Sequence, residues 1–273
     1  MPVVEAAALR VQTLREAPAN VTVVTASEIQ RYGYRTLAEI LDSVRGFYVT
    51  YDHMYRFVGA RGLSLPGDYN TRFLVMINGH PLTENVYNAN GAFGQDFGLD
   101  VDLIDRVEII RGPTSALYGS NGVLANINII TKSPVDQPGI RVSMETGSFG
   151  EKKTGFTTSQ YVGRGVNLLL SASVFHTAGQ SLFLPGYGGG EGVGAVADRL
   201  DRENGYHSFA QLLWGNWNVT ALFNSRRIIQ PQGIYESQFN NPGNAVLDQR
   251  NFVSLGLLPP AWRRPPAPLE NGV

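Results

Sequence analysis

Residues 107–132 read VEIIRGPTSALYGSNGVLANINIITK, and the reading of this stretch decides the fold. Val107, Glu108, Ile109 and Ile110 form a β-prone run that breaks at Arg111-Gly112-Pro113, because proline locks φ and donates no N–H. Ser115-Ala116-Leu117-Tyr118 predicts a short helical piece ending at Gly119, the residue that most easily takes φ > 0 after a helical turn. In the second run, residues 124–131, Ala125, Ile127 and Ile129 fall on one side and Asn126, Asn128 and Ile130 on the other. That period of two predicts a strand with one apolar face.

Upstream, residues 1–19 read as irregular and extended, and residues 20–25 (NVTVVT) as a strand. Ser27 with Gln30 three residues on is a capping box for a helix ending at Gly33. Thr36 and Glu39 form a second box, followed by Leu37, Ile40, Leu41 and Val44 at helical spacing and by a stop at Gly46. Strands are expected at residues 47–51, 56–62 and 73–77, and Asn78-Gly79 is a hairpin signal. Residues 83–98 are polar, Gly-rich and without periodicity. Residues 20–132 thus predict a small mixed-sheet α+β domain with short helices and long loops.

After Pro138 the texture changes. Ile140, Val142 and Met144 alternate with Arg141, Ser143 and Glu145. Residues 153–162, 166–175, 206–214 and 218–228 follow as strands, each close to the roughly 9–11 residues that cross a bilayer at a tilt. Gly163-Arg164-Gly165 and Gly215-Asn216-Trp217 are tight turns, whereas residues 179–204 and those after Gln230 are long connections. Short turns at one end and long loops at the other mark an outer-membrane barrel, although a soluble antiparallel sheet gives the same strand pattern. Residues 257–270 (LLPPAWRRPPAPLE) are hostile to an interior strand. The alternation is therefore expected to end at Val253, with the natural reading frame lost or the gene truncated there.

At 273 residues the chain can hold one large or two ordinary domains. Charged residues are 16%, under the usual quarter, and a net charge of −1 makes no electrostatic case for nucleic acid. The absence of cysteine excludes disulfides and thiolate metal sites. No apolar run reaches the roughly 18 residues of a membrane-spanning helix. The first residues show no basic and then apolar leader, so the expectation is a cytoplasmic protein or a start upstream of Met1. No phosphate loop, nucleophile elbow or His-Glu-x-x-His pattern occurs. His53, His80, His176 and His207 lack ligand spacing, and Asp100/Asp102 and Asp105/Glu108 sit where carboxylates cap or solvate. Neither an enzyme nor a resident metal or cofactor is expected.

Several ordered blocks resemble the plug domain of TonB-dependent outer-membrane receptors. They are PANVTVVT (residues 18–25), TLAEIL (36–41), VGARG (58–62), LVMING (74–79), IDRVEIIRGP (104–113), SALYG (115–119) and NINIIT (126–131). The resemblance implies a plug at residues 20–132 inside the lumen of a 22-stranded transmembrane β-barrel. It also implies a linker at 133–139, the first antiparallel barrel strands at 140–253, and an aberrant tail at 254–273. The N-terminal extension, residues 1–19, would carry a degenerate TonB-binding segment at Val3, Val4, Glu5, Ala6 and Ala7. By the same resemblance the partners are TonB with its inner-membrane energising complex, outer-membrane lipid and a small chelate such as a ferric siderophore or cobalamin. Tyr51, Tyr55, Arg56, Phe57, Tyr87 and Phe93 are the expected ligand contacts, with Arg61 and Arg72 as further cations for an anionic chelate. Glu108 and Arg111 are the expected plug–barrel contacts. In the third barrel strand, Val166, Leu168, Leu170, Ala172 and Val174 would face lipid. Five to seven strands cannot close a membrane barrel, which takes about eight. The expectation is therefore a receptor fragment, and the alternative is a soluble plug-like binding module or a non-functional gene fragment.

Overall fold

The computed structural model describes residues 3–4, 12–13, 20–64, 67, 69–84, 89, 93–113, 120–135, 138–185, 194–233 and 236–257. Two short strands, β1 (Val3–Val4) and β2 (Gln12–Thr13), pair antiparallel, where only irregular chain was expected. The predicted helical piece at residues 115–118 lies outside the described residues.

The N-terminal unit is built on a five-stranded sheet in the order β3-β8-β9-β6-β7, comprising β3 (Asn20–Thr25), β6 (Phe73–Ile77), β7 (His80–Pro81), β8 (Ile104–Arg111) and β9 (Ala125–Thr131). The one-sided reading of β9 is corrected: all seven of its residues are buried. Its position explains this, because β9 lies centrally, antiparallel to β8 and parallel to β6, and is covered on both faces. Ile109 stands opposite Ile127 with both fully buried, and each such side chain contributes roughly 1.5–3 kcal/mol by leaving water. Asn128 is used for a turn, whereas both amide atoms of Asn126 are buried without a hydrogen-bond partner among the described residues. Asn128 Oδ1 accepts the Gly79 N–H at 3.0 Å, and Asn78 and Gly79, with φ of 51° and 78°, form the two-residue turn joining β6 to β7.

Helix α1 (Ala26–Tyr32) is capped two residues earlier than expected. Thr25, not Ser27, is the N-cap, and Glu28 closes the box by accepting the Thr25 N–H at 2.8 Å. Gly33 ends it in the left-handed region, as expected. Helix α2 (Leu37–Asp42) starts at Thr36 as read, but ends at Ser43 rather than Gly46, and buries Leu37, Ala38, Ile40 and Leu41. A separate hairpin pairs β4 (Phe47–Tyr51) with β5 (Arg56–Ala60) through a turn at residues 52–55.

The remaining strands form one open antiparallel sheet in the order β10-β11-β12-β15-β16-β17. They are β10 (Gly139–Thr146), β11 (Lys152–Gly163), β12 (Val166–Thr177), β15 (Glu203–Trp214), β16 (Trp217–Ile229) and β17 (Ala245–Leu257). A small hairpin, β13 (Gln180–Leu184) with β14 (Ala195–Leu200), occupies the connection read as a plain Gly-rich loop. The expected break at Val253 is also corrected. Strand β17 keeps its alternation through Leu257, because Val253, Leu255 and Leu257 still register opposite β16.

The two faces of this sheet invert the usual rule of apolar inside and polar outside. Ser171, Ser173, His207, Gln211, Asn224 and Arg226 are buried against the N-terminal unit, while Ile140, Met144, Val174, Val253 and Leu255 are exposed. Leu170, Ala172 and Val174 point outward, as the sequence predicted. Such a face belongs against hydrocarbon, and its aqueous partner is the lumen side.

Candidate functional site

The 52–55 turn is organised by Asp52, whose Oδ1 accepts the N–H groups of Met54 at 2.8 Å and Tyr55 at 2.6 Å. This directs Tyr51 and His53 to the connection that leads into β15, and Tyr55 to β17 of the six-stranded wall. Tyr51 Oη donates to Asp201 Oδ1 at 2.8 Å, and His53 Nδ1 lies 3.0 Å from the same oxygen. Tyr55 Oη donates to Asp248 Oδ1 at 2.8 Å. Burial, and then the adjacent carboxylate, push both phenol pKa values up, so each hydroxyl stays a donor across the physiological range.

Arg226 on β16 completes the clasp. The ladder sets it directly opposite Asp248, and its side chain is 4% exposed. Its Nε donates to Glu203 Oε2 at 2.7 Å, Nη1 to Asp248 Oδ2 at 3.2 Å and Nη2 to the Met54 carbonyl at 3.0 Å. Asp96 Oδ1 lies farther from Nη1, at 4.0 Å. Burial pushes the Asp96 carboxyl up to about 6, and Arg226, shared with two closer acids, only partly offsets it. The neighbouring backbone is held as well. His207 Nε2 donates to Gln95 O at 2.8 Å, and Asn224 Nδ2 to Asp96 O at 3.4 Å. Gly98, at φ 97°, lets this turn seat closely, since a Cβ there would come within 3.2 Å of Asn224 Cγ and Leu222 Cδ2.

A second clasp centres on Lys153 of β11. Its Nζ reaches Asp100 Oδ1 at 2.7 Å, Glu145 Oε1 at 3.2 Å and Asp102 Oδ2 at 3.4 Å. Burial alone would raise the Asp100 carboxyl, but the Lys153 ammonium holds it below the ordinary carboxylate range.

Between the 52–55 turn, the Gly94–Asp96 backbone and the wall lies a cleft of about 410 Å³ at the end with the long connections. Its lining carries the carboxylates of Glu39, Asp96, Glu151, Asp201 and Glu203 against the guanidinium groups of Arg35, Arg56 and Arg226. Arg35 is paired with Glu39 and Glu151, and Arg226 with Glu203 and Asp248. Arg56 Cζ instead sits 4.7 Å above the centre of the Tyr51 ring. Among the described residues no group of His, Asp and Glu side chains is arranged to hold a metal ion.

Of the residues singled out in the sequence, Tyr51, Tyr55 and Arg56 come together on this turn, with the two tyrosine hydroxyls committed to Asp201 and Asp248. Phe57 and Phe93 are corrected: at 3% and 0% exposure their rings belong to the interior and offer no ligand surface. Arg61 and Arg72 do not line the cleft. Tyr87, Glu5, Ala6 and Ala7 lie outside the described residues, and Val3 and Val4 form β1. Glu108 is fully buried beside Arg106 (Nε–Oε1 2.9 Å), and Arg111 donates to Arg45 O at 3.1 Å and to Thr22 Oγ1. These partners lie within the N-terminal unit. The wall residues Arg226, Lys153 and Asp248, and Asp201 in the connection before β15, were missed. The available signal was parity, because Lys153, Arg226 and Asp248 are charged residues at lumen-facing positions of strands with an apolar opposite face.

Residues 13–125 match the family described as TonB-dependent Receptor Plug Domain. Over 173 residues the chain is 31% identical to the vitamin B12 transporter BtuB of Vibrio vulnificus (strain CMCP6), covering 62% of this chain and 27% of that protein. It is 30% identical over 153 residues to the ferrichrome outer membrane transporter/phage receptor of Escherichia coli (strain K12), covering 54% and 19%. The chain thus spans about a quarter or less of the length of these relatives. Its fold matches the FpvAI–pyocin S2 complex with a TM-score of 0.67 at 19% identity, over 92% of this chain and 34% of that chain. It also matches the ferripyoverdine receptor of the outer membrane of Pseudomonas aeruginosa bound to ferripyoverdine, with a TM-score of 0.65 at 18% identity, over 92% and 33%. Residues 13–125 thus match the plug domain of TonB-dependent receptors, and the fold of the chain is similar to part of such receptors.

Proposed function

We propose that the chain acts in the outer membrane of a Gram-negative bacterium in the TonB-dependent uptake of a scarce chelate, of ferric-siderophore or cobalamin type. In this reading residues 20–132 are the gating plug, 133–139 the linker and 140–257 barrel wall. TonB engages the N-terminal extension at Val3, Val4, Glu5, Ala6 and Ala7. The observation that carries the reading is that one hairpin turn both floors the outer cleft and is clasped by Asp201, Asp248 and Arg226. A chelate seated in the cleft therefore touches the elements that hold the plug. Relatives named for vitamin B12 and ferrichrome transport support the cargo class, and neither is an enzyme. Arg56 is the cation with no carboxylate partner among the described cleft residues, so it is the group expected to meet the chelate.

The test is saturable binding of labelled ferrichrome, ferripyoverdine and cobalamin to outer membranes carrying the chain. One of these is expected to bind, with weaker binding after Arg56→Ala. No saturable binding of any chelate by correctly inserted protein overturns the reading.

A further inference from the structure

The outward face of the wall carries a second feature that uptake does not use. Outward positions are residues 140–146 of β10 and 152–162 of β11 at even numbers, 166–176 of β12 and 204–214 of β15 at even numbers, and 217–229 of β16 and 245–257 of β17 at odd numbers. Across all of these the basic side chains are Lys152, His176 and Arg227, with no Asp or Glu. The three fall in one cross-strand row: Lys152 pairs with His176, His176 with Asn204, and Asn204 with Arg227. All four are exposed, and Lys152 and Arg227 have no ion-pair partner among the described residues. The inward cations Lys153 and Arg226, one residue away in each case, are each matched by carboxylates. At about 4.8 Å per strand the row spans roughly 14 Å.

Its height on the wall is equally specific. From Asn204 down β15 to Trp214 is ten residues, and Trp214 pairs with Trp217 beside the tight turn. Ten residues at about 3.3 Å, tilted by about 40°, give roughly 25 Å, the height of the apolar band of such barrels. The tryptophans mark one membrane interface, so the basic row marks the other, beside the long connections. Long basic side chains at that level lay their stems on apolar wall and put their charge among headgroups.

We propose that Lys152, His176, Asn204 and Arg227 form a binding surface for the phosphate groups of an anionic lipid in the outer leaflet. The two unpaired cations supply charge, and His176 and Asn204 between them supply hydrogen bonds. The occupant is a lipid phosphate because the surface continues directly into the hydrocarbon-facing band, which a soluble anion has no means to use.

The test uses the full chain folded into zwitterionic phosphatidylcholine nanodiscs and titrated with a bisphosphorylated lipid A, followed by native mass spectrometry. Lys152→Ala/Arg227→Ala is expected to weaken binding about thirty-fold at low salt, and the difference should shrink at high salt. Lys152→Arg/Arg227→Lys and the far-interface control Gln160→Ala are expected to bind as the parent does. Unchanged heat-modifiability establishes that each variant is folded. Equal binding by the double-alanine variant, or equal binding of dephosphorylated lipid, overturns the proposal. Displacement by inorganic phosphate at equal concentration overturns the lipid assignment in favour of a free-anion site.

Discussion

Replacing Arg226 with methionine keeps most of the side-chain volume and removes the cation that joins wall to plug. Glu203, Asp248 and Asp96 then share a buried site with no guanidinium, and the Met54 carbonyl loses its donor. Removing one partner of a buried ion pair costs about 3–5 kcal/mol, and the carbonyl adds about 1 kcal/mol. Local opening of the clasp should therefore rise by about a thousand-fold to ten-thousand-fold or more, with each factor of ten worth about 1.4 kcal/mol. Amide hydrogen exchange reads this directly. Protection at Met54, Tyr55 and Phe97 is expected to fall by that factor, while Ile109 and Ile127 in the central sheet stay unchanged. Arg226→Lys should fall between the two, because an ammonium keeps the charge and loses the fork. Acid modulates the result with a defined sign. The Asp96 pKa is raised from 3.8 to about 6, so the native state holds its proton more tightly than the unfolded chain. Its contribution is fully present below about pH 4 and is lost as pH rises through about 6, on the order of 3 kcal/mol. Losing Arg226 raises that carboxyl further, so protection factors in Arg226→Met should recover as pH is lowered from 7 to 5. Parent-level protection of the 52–55 and 95–97 segments in Arg226→Met would refute the clasp.

Tyr55→Phe removes the hydroxyl donated to Asp248 and should destabilise the turn by about 1.5–3 kcal/mol, whereas Tyr51→Phe should cost less because Asp201 keeps His53 and Gln180; urea unfolding of the two variants compares them. Gly98→Ala puts a Cβ at φ 97° against Asn224 and Leu222, and about 1–3 kcal/mol of strain should appear as lost protection at residues 95–98 with helix α2 unaffected. Lys153→Met strands Asp100 and should cost about 3–5 kcal/mol at pH 7. The parent's Asp100 pKa is depressed, so its stabilisation is present above about pH 3.8 and lost as pH falls through the folded value; the variant should instead gain stability on acidification, which parallel acid titrations followed by circular dichroism would show.

Much of the fold was legible because it rests on local rules. Asn78-Gly79 demands a tight hairpin, Gly33 a helix end, and the alternation through residues 166–175 a strand with two chemically different faces. The errors came where local rules compete or non-local neighbours decide. Thr25 outcompeted Ser27 as cap because Glu28 could close its box. Asn126 and Asn128 looked solvent-facing, but β9 lies centrally in the sheet between β6 and β8, and both side chains are buried. The alternation in β17 was lost to view behind the prolines that follow it.

The sequence by itself determined the class of element: a small mixed-sheet domain followed by strands with one apolar face, which periodicity alone leaves open to lipid or to a soluble sheet. Periodicity and turn chemistry are properties of adjacent residues, so no tertiary contact is needed to read them. Only the tertiary structure decided which charges do the holding. Arg226 meets Met54, and Lys153 meets Asp100, across separations of 172 and 53 residues. Glu108 and Arg111, inside the most family-like stretch, bond within the plug. The charge pairing is set by how the plug seats against a wall, and nothing local to either segment encodes that.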